Sequence, residues 1–408
     1  MNPKRYSKDK HPLRSRNIDP DAYRVIERLA MNGYSAYIVG GGVRDILLGR
    51  KPKDFDIATD ATPRKIKSLF SNSRIIGRRF KLAQIFFGRQ KLFEVSTFRD
   101  ATVPSDDLVE DPVQTTDDNV FGTEETDARR RDITINGLYF DPISCTIIDY
   151  VGGMEDLHNR VIRIIGNPDV RIIEDPVRMI RVVRHAARAG FDIDPETFDS
   201  VLNNRALLAE CPPVRVFDEF RKDLLSGHFL KIIRLLAKSG LLQTLVPMCS
   251  VEILDEGSPG AETLGRIDEY LASGDQVDLF LPLLVLAIFS KAPQAGRDLS
   301  QYFPDLEEVE PYLQQFFSQL AVPRRERERA SAALTLFQKL FSGGVSGEFD
   351  PYGTSVDTVE DTMALCRLLP ASGHDRLVHQ LLKEALNAAA AGWPGEPRRR
   401  RRRRHSKH

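Results

Sequence analysis

No apolar run in this 408-residue chain approaches the roughly 20 residues that span a bilayer, and the N-terminus MNPKRYSKDKHPLRSRN lacks the apolar stretch of a secretory signal. Both absences point to a chain that stays in the cytoplasm, with no membrane partner. Cysteine is scarce: Cys145, Cys211, Cys249 and Cys366 lie far apart, with no CxxC and no paired-histidine spacing. That argues against a zinc site or a disulfide framework and for buried free thiols. The eight histidines form no HxxxH or HxxEH pattern, and no GxSxG is present, so hydrolytic nucleophiles are not indicated. A repeat of fixed period is also missing.

Net charge is absent too, but only on average, because 58 Lys and Arg balance 58 Asp and Glu. Lys4, Arg5, Lys8, Lys10, Arg14 and Arg16 crowd the N-terminus, and Arg398 to Arg404 with Lys407 close the chain. Setting aside those two tails leaves about −13 over residues 19–397. A polyanion is therefore drawn to the ends and to local basic stripes, with binding that weakens steeply in salt. The plainer reading of the tails is solubilising disorder; seven consecutive arginines favour nucleic acid.

Periodicity divides the remainder. Residues 1–18 read as a disordered basic N-terminus, and Asp19 to Met31 as a helix with Ala22, Val25, Ile26 and Leu29 on one face. Strand patterns near 36–39, 55–59, 84–88, 92–98 and 133–140 mix with helices near 43–48 and 63–70, which gives an α+β unit with a mixed sheet over 19–150. An acid-rich stretch between Asp100 and Asp127 is longer than most compact loops. From Val170 strand signals nearly vanish, so an all-helical C-terminal half is expected, over 151–250 and 251–392. Pro212-Pro213, Ser258-Pro259-Gly260 and Ser342-Gly343-Gly344 punctuate it, and residues 393–408 form an arginine-rich tail without structure.

The stretch YIVGGGVRDILLGRKPKDFDIAT, from Tyr37 to Thr59, carries the most chemistry. Tyr37, Ile38 and Val39 end a buried strand, and Gly40, Gly41 and Gly42 let the backbone turn with its N–H groups exposed, a geometry that holds phosphate. Arg44 follows near the first helical turn, where it meets either a triphosphate or its neighbour Asp45. Phe55 and Ile57 alternate with Asp54 and Asp56, so a strand here buries the first pair and projects both carboxylates from its other face. Two hard oxygen ligands side by side suit Mg²⁺. In LFEVST the same alternation turns Glu94 away from Phe93 and Val95, making it a third converging acid.

Two further segments stand out. Arg129, Arg130, Arg131 and Asp132 precede ITINGLYF, in which Asn136 is a polar group in an apolar setting, bonded either to backbone or to a ribose hydroxyl. In IIEDPVRMIRVVRHAARAGF, Glu174, Asp175 and Pro176 read as a helix N-terminus. Capping alone explains the acids. Yet Glu174, Asp175 and Arg178 then share a face continued by Arg181, Arg184 and Arg188, a stripe able to read a base edge and guide a backbone.

Taken in order, VGGGVRD, KDFDIAT, FEVSTFR, RRRDITINGLYF and EDPVRMIRVVRHAAR resemble the class II nucleotidyltransferase family, which includes CCA-adding enzymes and bacterial poly(A) polymerases. The likeness covers roughly residues 20–250. It implies two metal ions at Asp54 and Asp56, Asp132 and Glu94 counted with the active site, the ribose at Asn136, and the incoming base at Asp175 and Arg178. IIGRRFKLAQIFFG and the C-terminal arginines look more like the poly(A) polymerase branch, although that branch usually has His where this chain has Gln84. The resemblance implies transfer of AMP from ATP to RNA 3′ ends, with mRNA, tRNA and small RNA as candidate acceptors. CCA addition to tRNA and an inactive RNA-binding protein are the rivals.

Overall fold

The alternation and helical spacing of residues 19–150 resolve, together with one strand from the N-terminus, into an eight-stranded sheet packed against helices. The computed structural model describes residues 2–77, 81–88, 91–100, 121–291, 306–318, 320–342, 355–369 and 383. The chain divides into two units, Met1–Leu207 and Leu208–His408.

The first unit runs β1 (Lys4–Tyr6), α1 (Pro20–Met31), β2 (Ala36–Val39), α2 (Gly41–Leu47), β3 (Asp56–Thr59), α3 (Pro63–Leu69), β4 (Ser73–Ile76), β5 (Leu82–Phe87), β6 (Lys91–Thr97), α4 (Glu124–Arg129), β7 (Leu138–Asp141) and β8 (Thr146–Asp149). It continues through α5 (Gly153–Asn159), β9 (Val161–Ile162), α6 (Pro168–Glu174), α7 (Arg178–Ala189), β10 (Asp192–Ile193) and α8 (Pro195–Asn204). Strand order in the sheet is β1-β8-β7-β2-β3-β6-β5-β4, with β3 and β6 parallel and every other neighbouring pair antiparallel.

The strand period of two sorts side chains onto opposite faces. On one, Ile38, Ile57, Ile85, Val95 and Phe140 meet Val25, Ile26 and Leu29 of α1, Val43 of α2 and Ile66 of α3. Truncating such a residue to Ala costs about 2–5 kcal/mol. Local signals place the helices: the Asp19 side chain accepts from the Asp21 N–H at 2.9 Å with Pro20 in the first turn, and Thr62 caps α3 ahead of Pro63. The opposite face carries a smaller cluster around Val39, Ala58, Phe98, Tyr139 and Ile148.

Three sequence expectations need correction. The N-terminus is ordered where disorder was expected: Lys4 and Tyr6 pair with Asp149 and Ile147 across the sheet edge, and Leu13 is fully buried. One strand pairing and one apolar anchor outweigh the basic composition around them. The strand expected over 133–140 is interrupted by a 3-10 turn at Thr134–Asn136 and becomes β7 only at Leu138. Glu174 ends α6 and Asp175 follows it, whereas α7 begins at Arg178, so the two acids lie at a helix C-terminus. Pro176 separates the helices by removing an N–H donor.

The second unit contains, among its described residues, helices and no strand. These are α9 (Pro213–Leu224), α10 (Phe229–Lys238), α11 (Leu241–Leu245), α12 (Pro259–Ser273), α13 (Phe280–Lys291), α14 (Val309–Phe317), α15 (Arg324–Ser342) and α16 (Val356–Leu368). Its centre is α13, buried continuously from Phe280 to Phe289. Ser258 and Ser355 cap α12 and α16 by accepting from Ala261 and Thr358 N–H groups. The Arg398–Arg404 run, most of the acid-rich stretch, and Arg78 to Phe80 of the RRFKLA segment lie outside the described residues.

Candidate active site

Strand β2 ends at Val39 and the chain turns at Gly40, whose φ of 71° lies in the left-handed region. A Cβ there would also come within 3.2 Å of Arg131 Nη1 and 3.7 Å of Asp56 Oδ2. The backbone angle and the close approach of Arg131 both favour glycine at this position. Gly41 and Gly42 open α2, and a Cβ on Gly42 would stand 3.2 Å from the Asp54 carbonyl oxygen. The glycine turn and the two aspartates are therefore in contact, as their sequence proximity suggested.

Asp56 pairs with Val39 across β2 and β3, and Ile57 pairs with Val95 across the parallel β3–β6 ladder. One step back along that ladder sets Asp56 beside Glu94, on the face away from Ile57 and Val95. Asp54, Asp56 and Glu94 are all exposed. Exposed as Asp56 is, its carboxyl is pushed up to about 6, first by desolvation from the protein packed around it and then by the Asp54 and Glu94 charges, with Arg131 opposing them. Three carboxylates facing one guanidinium leave a local excess of negative charge, which fits a hard divalent cation. Among the described residues no group of three or more His, Cys, Asp and Glu forms a ready-made cage. Magnesium does not need one, because it is commonly held by one or two carboxylates plus water and substrate phosphate oxygens.

Arg131 is fixed from its far side. It donates through Nη2 to Asp127 Oδ2 at 3.3 Å and through Nη1 to the Asn136 carbonyl at 3.5 Å, and its guanidinium lies 5.4 Å from the Tyr139 ring centroid. The Tyr139 hydroxyl donates to the same Asp127 carboxylate. The glycine turn's own arginine is also engaged: Arg44 donates through Nε and Nη2 to Asp45 Oδ1 at 2.9 and 2.8 Å, and through Nη1 to Asn136 Oδ1 at 2.7 Å.

A second acid cluster lies at the start of α7. Asp132 accepts from Arg178 Nε and Arg181 Nη1, each at 2.8 Å, and Asp175 accepts from Arg181 Nη2 at 3.0 Å. Asp175 and Arg178 are only 1% and 3% exposed, so they form a buried, charge-paired cluster and not an open stripe. Burial alone would raise the Asp132 carboxyl, yet Arg181 and Arg178 hold it far below the usual carboxylate range. Arg178 also donates to the Arg171 carbonyl, which anchors α7 to α6.

The structure thus joins Gly40, Asp54, Asp56 and Glu94 in one group, Asp132, Asp175 and Arg178 in another, and Arg44 with Asn136 in a third. The sequence assigns no role to Arg131, Asp127 or His185, and it puts Arg181 in an open stripe where the structure pairs it with Asp132 and Asp175. Arg131 was visible in the RRRD run, and its signal was adjacency to Asp132. His185 carries no local signal, since no second histidine stands at a metal-pair spacing from it.

The family described as the poly A polymerase head domain matches residues 36–163, and the probable RNA and SrmB-binding site of polymerase A matches residues 190–252. Poly(A) polymerase I of Escherichia coli O6:H1 is 43% identical over 274 residues, which cover 66% of this chain and 58% of that protein. The CCA-adding enzyme of Geobacillus stearothermophilus is 36% identical over 222 residues, covering 54% and 53%. The chain therefore spans only a little over half the length of the curated relatives it matches. A crystal structure of the Bacillus stearothermophilus CCA-adding enzyme in complex with CTP superposes with a TM-score of 0.60 at 25% identity, over 93% of this chain and 90% of that one. The two family matches fall on the sheet with its acid cluster and on the helices that follow, and with these relatives they show that residues 36–163 form a poly A polymerase head domain, similar to the corresponding part of poly(A) polymerases and CCA-adding enzymes.

Proposed function

We propose that this protein is a template-independent poly(A) polymerase that transfers AMP from ATP to RNA 3′ ends and releases pyrophosphate. The observation that carries the reading is the placement of Asp54, Asp56 and Glu94 against the Gly40 turn. In the reaction the RNA 3′-hydroxyl oxygen bonds to the α-phosphorus, its proton is lost, and the bond to the β-phosphate oxygen breaks. Two Mg²⁺ ions held by Asp54 and Asp56 would activate that hydroxyl and neutralise the leaving pyrophosphate. The Gly40–Gly42 backbone and Arg44 receive the triphosphate. Asn136 faces the ribose. Asp175 and Arg178, closed on Arg181 and Asp132 in the free protein, would select adenine once the cluster opens to share the Asp175 carboxylate with the exocyclic amine. Asp132 acts through the arginines it holds, and Glu94 adds the third negative charge at the metal pair.

Residues 19–150 would then form the catalytic domain, 151–250 the base- and RNA-binding region, and 251–392 a helical RNA-holding region, with the basic tails gripping phosphates irrespective of sequence. Among the described residues no helix is long and apolar enough to cross a membrane, in keeping with a proposed cytoplasmic role in mRNA polyadenylation and decay. The polymerase reading over CCA addition is supported by the greater identity to Poly(A) polymerase I. The likeness to CCA-adding enzymes keeps CCA addition as the second reading.

The test supplies ATP alone with a generic RNA, then CTP and ATP with tRNA lacking its terminus. Extension of generic RNA with ATP alone is expected. Extension that requires CTP and a tRNA acceptor would establish the second reading instead, and binding of RNA without extension would leave an inactive RNA-binding protein.

A further inference from the structure

Behind Arg44 and Asn136 lies a contact that the proposed reaction does not use. His185 of α7 presents Nδ1 to Arg44 Nη1 at 3.4 Å and Nε2 to Asn136 Nδ2 at 3.5 Å. A guanidinium can only donate, so the 2.7 Å contact from Arg44 fixes the Asn136 amide with its oxygen toward Arg44 and its NH₂ toward His185. Two donors therefore face one imidazole. Burial, with Arg44 and Arg184 nearby, holds the ring neutral, its pKa lowered to about 3. A neutral ring has one lone pair and one N–H, so whichever tautomer it takes, it satisfies one donor and opposes the other. Both contacts are correspondingly long.

Triphosphate oxygens are stronger acceptors for Arg44 than a neutral amide oxygen. Once Arg44 turns to them, Asn136 Oδ1 loses its partner and His185 Nε2 can accept from Asn136 Nδ2 without opposition. We propose that His185 is a positioning residue that couples triphosphate binding to ribose recognition, by holding the Asn136 amide with its freed oxygen toward a ribose hydroxyl. This rests on the roles proposed above for Arg44 and Asn136, and it adds the group that sets the amide's orientation.

The experiment compares single addition of ATP, 2′-deoxyATP and 3′-deoxyATP. His185→Phe retains a ring but removes the lone pair; the preference of kcat/KM for ATP over the poorer deoxy substrate is expected to fall about tenfold, the size of one hydrogen bond. The deoxy substrate itself should be nearly unaffected, a split that a general loosening of α7 would not produce. His185→Gln, with an acceptor oxygen, should recover most of the preference. If Asn136→Ala loses the preference and His185→Phe keeps it, the coupling is wrong although the ribose assignment stands. If Asn136→Ala keeps it, the ribose assignment falls and the coupling with it. Should His185→Phe not fold, ¹⁵N spectra of the wild-type protein serve: a non-hydrolysable ATP analogue should leave His185 protonated at Nδ1 with Nε2 accepting, and a tautomer mixture unchanged by the analogue overturns the proposal.

Discussion

Two acid clusters occupy the first unit, and desolvation acts against the charge of both, yet their carboxyl groups move in opposite directions. Asp56, among Asp54, Glu94 and a single Arg131, rises to about 6. Asp132, clasped by Arg178 and Arg181, falls far below the ordinary range. The difference is one of cation supply. Where arginines outnumber or match the acids, the cluster is closed and serves as a brace between the RRRD segment and α7. Where they do not, the chain tolerates unbalanced negative charge beside a phosphate-competent turn, an arrangement suited to cations that would arrive from solution with the substrate.

The largest expected effect breaks the open cluster. Removing a metal ligand forfeits several kcal/mol of transition-state stabilisation, so Asp54→Ala and Asp56→Ala should each lower AMP incorporation by about 10³-fold or more. Folding stability should hold or rise slightly, since each change relieves repulsion. ATP-dependent extension that survived both changes would remove the two-metal assignment, and a marked loss of stability would show that these acids brace the fold after all.

The closed cluster should respond the other way. Asp132→Ala leaves the buried Arg178 without its carboxylate while Arg181 keeps only Asp175, and losing one partner of a buried pair costs about 3 kcal/mol or more. The urea midpoint should fall accordingly. Because α7 would lose its tether, activity should fall with it, whereas Asp132→Asn, which keeps an acceptor oxygen, should retain more of both.

Gly40→Ala tests the boundary of the open cluster. The left-handed φ costs an alanine about 1–2 kcal/mol, and the added Cβ forces the Arg131 guanidinium to shift by a few tenths of an ångström. Stability should drop by that modest amount in thermal unfolding. The KM for ATP should rise more than kcat falls if the turn serves chiefly to bind phosphate.

The open cluster was far more legible in the sequence than the closed one, for a physical reason. Gly40, Asp54 and Asp56 are local: one turn and one strand alternation, with Ile57 buried opposite Asp56, determine where they point. Even Glu94 needed only the same alternation on a second strand. Asp132, Asp175 and Arg178 are joined by tertiary contacts between the end of α4, the end of α6 and the start of α7, and helical spacing across Pro176 misread Asp175 and Arg178 as one face. The same limit hid β4 and β8, short pairings whose residues carry little alternation. It also hid β1, whose three residues are stabilised only by the edge they complete. His185 was invisible because its meaning lies in two donors from other elements.

The smallest expected effect separates the clusters by pH, in protein kept metal-free with EDTA. Asp56 has a folded pKa near 6 against about 4 when unfolded, so between those values the native state binds more protons than the unfolded chain. Its contribution to stability therefore improves as pH falls from about 7 toward 4. Asp132 is depressed in the folded state, so its contribution is complete above about 4 and is lost as pH falls further, through the folded value. The urea midpoint should rise gently on acidification and then fall. Saturating Mg²⁺ should erase the rise, since the ion binds the ionised carboxylate and is itself released as Asp56 is protonated. Asp56→Asn should erase it in the absence of metal and leave the fall below pH 4 in place. If Asp56→Asn left the rise intact, the excess charge would belong to some other group, and the contrast between an open and a closed cluster would lose its basis.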